Sequence, residues 1–381
     1  MNMTTIRTKT VHTAQMEERT IRPKVLPIYQ TSAFSFSSLE ELEGYYEGNS
    51  TYLYSRTANP NTDALGQTVA VLEGAPKGVA ASSGTSAILA GILAVVKSGD
   101  HIIAAEDVYG GTFLLLKEEL ALMGIQVHFA DFSDVQAIEP LLIDFPEVKL
   151  LFSESITNPF LREEDMALLS QFKKQYGVKV MIDNTFATPY TMQPYEQGAD
   201  LVVHSATKYL GGHSDVTAGV LVGEPDLIEL AEKRIVNMGM NLSPFEAWLT
   251  IRGIKTLALR MKAQTENAQA IADFLRERTT VWYPGKGAIV SFEVPERIGV
   301  STFFSSLGWI KIVPTLAGVE TTVSYPYGTS HRALSEEEKT RIGVTRRIVR
   351  LSAGIEGTED ILEQLASAFN IFRKKSPSSN A

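Results

Sequence analysis

Lys208 stands in the run Val203-His204-Ser205-Ala206-Thr207-Lys208-Tyr209-Leu210-Gly211-Gly212-His213. A lysine just past a strand end, beside two hydroxyls and ahead of a Gly-Gly turn, suits a Schiff-base lysine. Such an amine must be partly desolvated to act as nucleophile and base, and Ser205 and Thr207 could hold a phosphate nearby. The competing reading is a surface lysine in a glycine-rich loop. Asp183 closes the apolar run Val178–Asp183, and ligands of parallel sheets gather at such strand ends. An aspartate there could keep a pyridinium nitrogen protonated, as an electron-sink cofactor requires, or it could serve only as a turn or cap. Ser82-Ser83-Gly84-Thr85-Ser86 lies between a short strand and an apolar helix. Free N–H groups at that helix start could bind a phosphate, although an ordinary N-cap has the same look. In Asp107-Val108-Tyr109-Gly110-Gly111-Thr112 a strand-end tyrosine could stack on an aromatic ring.

These residues need a scaffold, and the apolar pattern supplies one. Short apolar strands at Val79–Ala81, His101–Ala105, Ile125–Ala130, Val148–Phe152, Val178–Asp183, Leu201–His204 and Gly219–Val222 alternate with helical stretches such as Thr85–Lys97 and Glu163–Tyr176. Nearly continuous apolar strands separated by helices predict a largely parallel sheet covered on both faces, an α/β fold. Residues 1–60 read as an irregular arm without a core of its own, suited to packing on a second subunit. Residues 61–242 read as the large domain, and 243–381 as a smaller C-terminal α+β domain. That domain is entered by a long helical stretch with Trp248, Ile251, Leu257, Leu259 and Met261 on its buried side. Arg252, Lys255, Arg260 and Lys262 read as a solvated or interface face. A last helix is expected over Asp360–Phe372, followed by a frayed polar tail at 373–381.

Composition narrows the chemistry. The 381 residues suit two or three domains. With 35 basic and 44 acidic residues the net charge is −9, which argues against nucleic acid or an anionic membrane as the main partner. There is no cysteine, so disulfides, thiolate metal sites and a cysteine nucleophile are excluded. The six histidines form no metal-binding spacing, and no metal is expected; His204, His213 and His331 read as structural hydrogen-bonding residues. The N-terminus lacks an apolar signal core and no run approaches a membrane span, so the expected location is the cytoplasm.

The motifs together resemble the pyridoxal-phosphate-dependent trans-sulfuration (Cys/Met metabolism) family. It includes cystathionine γ-synthases, cystathionine lyases, methionine γ-lyases and O-acylhomoserine sulfhydrylases. The resemblance runs through YSRTANP at 54–60, SSGTSAI at 82–88, DVYGGT at 107–112 and SESITNP at 153–159. It continues through DNTFATPY at 183–190, HSATKYLGGH at 204–213, RGIKTLALRM at 252–261 and VRLSAGIE at 349–356. It implies a fold-type I, aspartate aminotransferase-like fold and pyridoxal 5′-phosphate as cofactor. Lys208 would form the Schiff base and move the Cα proton, Asp183 would pair with the ring nitrogen, and Tyr109 would stack on the ring. Gly84, Thr85, Ser205 and Thr207 would hold the phosphate, and Asn158 would lie near the phenolic oxygen. Tyr54 and Arg56 would reach the phosphate of a neighbouring subunit in a homotetramer built from two tight dimers. Arg350 would clamp the substrate α-carboxylate, with Thr315 at the substrate side.

The resemblance leaves the reaction open between elimination and γ-replacement. Leu53 and Pro314 stand where many cystathionine-handling members carry acids, and Thr315 where a serine is usual. Those departures favour methionine, homocysteine or a small thiol, and a carbon–sulfur lyase. The short Trp282–Gly287 connection instead resembles some cystathionine γ-synthases that use O-acetylhomoserine. An aminotransferase is disfavoured by the lysine loop and the arm motif. A silent paralogue is disfavoured because Lys208, Asp183, Tyr109 and Arg350 are all present.

Overall fold

The computed structural model describes residues 5–13, 23–49 and 52–369. The chain divides into two compact units, residues 1–158 with 162–261, and residues 159–161 with 262–381. The division therefore falls after Met261 rather than after Leu242, and it groups the arm with the sheet-bearing unit.

In the first unit the arm is less irregular than its sequence suggests, with α1 (Ile6–His12) and α2 (Leu39–Tyr46). Ser38 starts α2 by accepting the Glu41 N–H, and Glu40 and Glu41 sit favourably at its positive end. α3 (Pro60–Glu73) shows why a motif-rich stretch turns helical. Asn59 caps it, Pro60 fills a first-turn position that needs no N–H, and Gly74 closes it at φ 74°.

Seven strands follow: β1 (Lys77–Ala81), β2 (His101–Ala105), β3 (Gln126–Ala130), β4 (Val148–Glu154), β5 (Lys179–Asp183), β6 (Leu201–Ser205) and β7 (Gly219–Gly223). They lie in the order β1-β7-β6-β5-β4-β2-β3. Strands β3, β2, β4, β5 and β6 are mutually parallel, while β7 is antiparallel to both β6 and β1. All five residues of β2 and of β7 are buried, which is why both read as continuous apolar runs. The helices of this unit are α4 (Gly84–Val95), α5 (Gly110–Leu114), α6 (Leu120–Leu122), α7 (Val135–Asp144), α8 (Met166–Tyr176), α9 (Thr188–Thr191), α10 (Pro225–Asn237) and α11 (Pro244–Ile254). A π-helical turn, Leu115–Glu119, joins α5 to α6.

The expected long helix after Pro244 is two helices, α11 and α12 (Leu257–Arg276), parted at Lys255-Thr256. Two side chains there depart from the sequence reading. Leu259 is exposed and Arg260 is buried. The guanidinium of Arg260 donates to the Gly253 carbonyl at 2.9 Å and to the Thr256 hydroxyl at 3.1 Å; Arg260 shares the face of buried Leu257 and Met261, whereas Leu259, two residues from each, lies on the opposite face. α10 has no counterpart in the sequence reading, although Leu227, Ile228, Ala231 and Ile235 form its buried stripe.

The second unit carries β8 (Val281–Trp282), β9 (Ile289–Glu293), β10 (Lys311–Ile312), β11 (Thr322–Ser324) and β12 (Ile348–Ser352), ordered β10-β11-β12-β9-β8. Helices α13 (Val300–Ser305), α14 (Glu336–Arg341) and α15 (Thr358–Ala368) accompany them. Val290, Phe292, Phe303, Leu351, Leu365 and Phe369 are among its buried core residues. The Phe292 and Phe303 rings meet edge-to-face at 5.6 Å. The end of the last expected helix and the polar tail lie outside the described residues. Among the described residues no helix is long and apolar enough to cross a membrane.

Candidate active site

In the open sheet the chain adds β3 on one side of β2 and then β4, β5 and β6 on the other. Ligands bind at the carboxyl ends of strands beside such a reversal. The first-unit site residues follow those ends: Tyr109 after β2, Asn158 after β4, Asp183 at the end of β5, and Ser205, Thr207 and Lys208 at and after β6.

Asp183 is anchored by its own turn. Its Oδ1 accepts the Thr185 N–H at 2.9 Å and the Thr185 hydroxyl at 2.5 Å. Among the described residues no hydrogen bond reaches Oδ2, which leaves that oxygen for a ligand. Burial pushes the Asp183 carboxyl up, while the Thr185 donors and His204 hold it down.

The β6 end delivers the lysine. Ser205 N–H donates to the Thr185 hydroxyl at 2.8 Å, locking β6 to the Asp183 turn. Lys208 N–H donates to the Ser205 carbonyl, and Gly212 N–H returns to the Lys208 carbonyl at 2.7 Å. Both Lys208 and Ser205 are half-buried. Thr207 is placed differently from a free phosphate donor. Its hydroxyl donates to the Ala218 carbonyl at 3.2 Å and accepts the Ala218 N–H at 3.0 Å, so a phosphate contact requires that hydroxyl to rotate.

The start of α4 meets Ser205. Ser83 caps the helix by accepting the Ser86 N–H at 3.1 Å, and Gly84 and Thr85 occupy its first turn, where N–H groups have no partner within the helix. A Cβ on Gly84 would lie 2.7 Å from the Ser205 Cβ and 2.9 Å from its Oγ. Only glycine lets the helix start and the β6 hydroxyl converge, and that cradle of amide donors and hydroxyls fits a phosphate.

Tyr109 is 47% exposed and leads into α5. A Cβ on Gly111 would lie 2.6 Å from the tyrosine ring, so the ring packs close against backbone that carries no side chain. Its loop is tied down from two directions. Arg162 makes two parallel bonds to Asp107, at 3.0 and 2.9 Å, a fork that fixes position as well as charge. The Tyr109 N–H donates to Glu154 Oε1 at 2.7 Å. Asn158 is buried.

Behind the site His204 has the structural hydrogen-bonding role its sequence suggested, in a cluster with Glu73 and Asn184, to which the sequence reading gave no role. Glu73, at the end of α3, accepts from His204 Nε2 and from Asn184 Nδ2, each at 2.7 Å. All three are essentially without solvent. The DNTF and HSATKYLGGH runs already contained Asn184 and His204, but Glu73 lies 131 residues from His204 and no local pattern joins them.

Tyr54 and Arg56 lie exposed in the arm, with the guanidinium 5.9 Å from the tyrosine ring centroid and donating to the Val236 carbonyl at 3.2 Å. In the second unit Arg350 is buried in β12, paired across to Ser324 of β11 and Ser291 of β9. Thr315 lies half-buried in the loop between β10 and β11. His213 meets the Gly211 carbonyl at 2.9 Å and His331 the Ser330 hydroxyl at 2.9 Å, so both have local structural partners. Among the described residues there is no cluster of side chains that could hold a metal ion.

Comparison with known proteins identifies the family. A family profile described as Cys/Met metabolism PLP-dependent enzyme matches residues 7–370. The chain is 39% identical over 348 residues to a cystathionine gamma-synthase/O-acetylhomoserine (thiol)-lyase of Bacillus subtilis, covering 90% of each chain. It is 37% identical to a cystathionine beta-lyase of Lactococcus lactis, covering 96% of this chain and 99% of the relative. The crystal structure of a cystathionine gamma-lyase from Lactobacillus plantarum superposes with a TM-score of 0.90 at 34% identity, covering 96% and 98% of the two chains.

Proposed function

Because the chain belongs to the Cys/Met metabolism pyridoxal-phosphate-dependent enzyme family, we propose that it cleaves the C–S bond of methionine, cystathionine or a related sulfur amino acid by elimination. The observation that carries this reading is the Asp183 turn locked to the end of β6, three residues before Lys208. Bound at this site, pyridoxal phosphate supplies an electron sink for charge developing at the substrate Cα. The Gly84 and Thr85 amides and the Ser205 hydroxyl would hold its phosphate, Thr207 joining them once its hydroxyl turns from the Ala218 carbonyl, and Asn158 would lie toward its phenolic oxygen. Asp183 Oδ2 would accept the ring N–H and so favour its protonated form. Lys208 Nζ anchors the cofactor and then takes the proton from the substrate Cα. Tyr109 would cover the ring face, and its hydroxyl would give a proton to the departing sulfur, a role worth about 10²–10⁴-fold. Arg350 is the proposed fork for the α-carboxylate, with Thr315 in the specificity loop.

Substrate choice rests on Leu53 and Pro314, which place no acid where an ammonium at the far end of cystathionine would need one. A second reading, γ-replacement on an O-acylhomoserine, is favoured by one observation. The Trp282–Gly287 connection is short, running from β8 to β9 with only Tyr283–Ala288 between them. The test is product analysis with methionine, cystathionine and O-acetylhomoserine, each with and without cysteine or sulfide. Keto acid and ammonia from methionine or cystathionine without added thiol are expected. Thiol-dependent consumption of O-acetylhomoserine with little keto acid would replace elimination by γ-replacement.

We further propose a cytoplasmic homotetramer, a dimer of dimers in which Tyr54 and Arg56 serve the neighbouring subunit's phosphate. Mixing inactive R56A and K208A subunits should restore part of the activity if sites are shared. No recovery in verified mixed oligomers would remove that role.

A further inference from the structure

Glu154 closes β4, and the parallel register places it directly opposite Asp183 of β5. It is 5% exposed. Its Oε1 accepts the backbone N–H of Tyr109 at 2.7 Å. One carboxyl therefore adjoins Asp183, proposed to meet the ring nitrogen, and the backbone that carries Tyr109, proposed to cover the ring face. We propose that Glu154 is a positioning residue for the cofactor ring, acting as a neutral carboxylic acid that fixes the Tyr109 backbone and leaves the local negative charge on Asp183. The inference rests on the site assignment under Proposed function.

Two adjacent buried carboxyls cannot both ionise cheaply. The charge settles where donors are concentrated. Asp183 receives two bonds from Thr185 on Oδ1 and has His204 nearby, whereas Glu154 receives one neutral amide. Burial first, then the charges of Asp183 and Asp107, drive the Glu154 carboxyl well above its ordinary 4.5; the Tyr109 amide and Arg162 act the other way. Arg162 is itself committed, forked onto Asp107 and bonded to Glu164 at 3.2 Å. A neutral acid also explains why a carboxyl is tolerated beside a group that must stay anionic. It accepts an N–H through its carbonyl oxygen without competing for the ring proton.

The test compares E154Q and E154A with wild type by titrating the apoprotein with pyridoxal phosphate and recording circular dichroism of the bound chromophore. The amide of E154Q keeps the neutral charge and the acceptor oxygen, so its cofactor affinity should stay within about threefold and its dichroism unchanged. E154A should bind more than about tenfold more weakly with diminished dichroism, since the Tyr109 loop loses its acceptor. A wild-type E154A, or an E154Q as damaged as E154A, would overturn the proposal. If E154A does not fold, apo E154Q decides. It should be at least as stable as wild type at pH 8, the difference shrinking toward pH 5, and a loss of stability at pH 8 would overturn the neutral acid. D183N is the control in every titration. Wild-type affinity and dichroism in D183N would sink the site assignment itself, whereas a weakened D183N beside an unaffected E154A would sink only the role of Glu154.

Discussion

His204 Nε2, on the strand that leads to Lys208, and Glu73 Oε1, at the end of α3, lie 2.7 Å apart with both residues buried. Glu73 also accepts from Asn184, the neighbour of Asp183. A buried carboxyl group with two partners ties β5 and β6 to the end of α3, and removing one member strands the others. Glu73→Ala should cost about 3–5 kcal/mol of stability, read from urea denaturation of the apoprotein. A cost under about 1 kcal/mol, the range of an exposed pair, would show that the cluster is not a structural tie.

Lys208→Ala should abolish covalent capture of the cofactor. Borohydride reduction followed by mass spectrometry should add a pyridoxyl group to one wild-type peptide, the one containing residue 208, and to none in the variant. Turnover should fall by at least about 10²–10⁴-fold, the share of a positioned proton-transfer group. A pyridoxyl group on a different lysine of the wild-type protein would relocate the site.

Gly84→Ala tests the phosphate cradle. Its new Cβ would meet Ser205 at 2.7 Å, pushing the helix start away from β6. We expect pyridoxal phosphate to bind at least tenfold more weakly, a difference of about 1.4 kcal/mol. Affinity for pyridoxal without its phosphate should change far less. Equal losses for both ligands would mean general misfolding rather than damage to a phosphate site.

A pH dependence follows from His128, whose Nε2 lies 3.1 Å from His101 Nδ1 and whose ring stacks on Phe145 at 4.2 Å. Burial, and then His101, hold the His128 ring below its ordinary 6.5. A histidine depressed in the fold contributes stability that is present above about 6.5 and lost as pH falls through its folded value. Apoprotein melting temperature should therefore drop between pH 7 and 5, and His128→Gln should drop less. Parallel curves for the two proteins would exclude this pair as the cause.

Arg350→Lys should raise KM for the amino acid more than it lowers kcat, because an ammonium cannot reproduce the two parallel bonds of a guanidinium fork. An unchanged KM in steady-state assays would remove Arg350 from substrate binding.

Local order alone was sufficient for the α/β alternation, the strand ends and the glycine turns. β2 and β7 are buried along their whole length, and an apolar run needs no partner to be recognised. The Lys208, Asp183 and Gly84 motifs were legible because turn chemistry and helix capping act over a few residues. Tertiary structure decided what depends on distance along the chain. Glu73 meets His204 across 131 residues, Glu154 faces Asp183 through strand register, and Thr207 spends its hydroxyl on Ala218. Arg260 looked solvated because its neighbours in sequence are charged, yet three residues on from buried Leu257 it shares the inward face of α12, while Leu259 faces outward. A sequence carries the period of each element, but which face of a helix meets the core and the register of paired strands are set by packing, where a one-residue shift changes which side chain is buried.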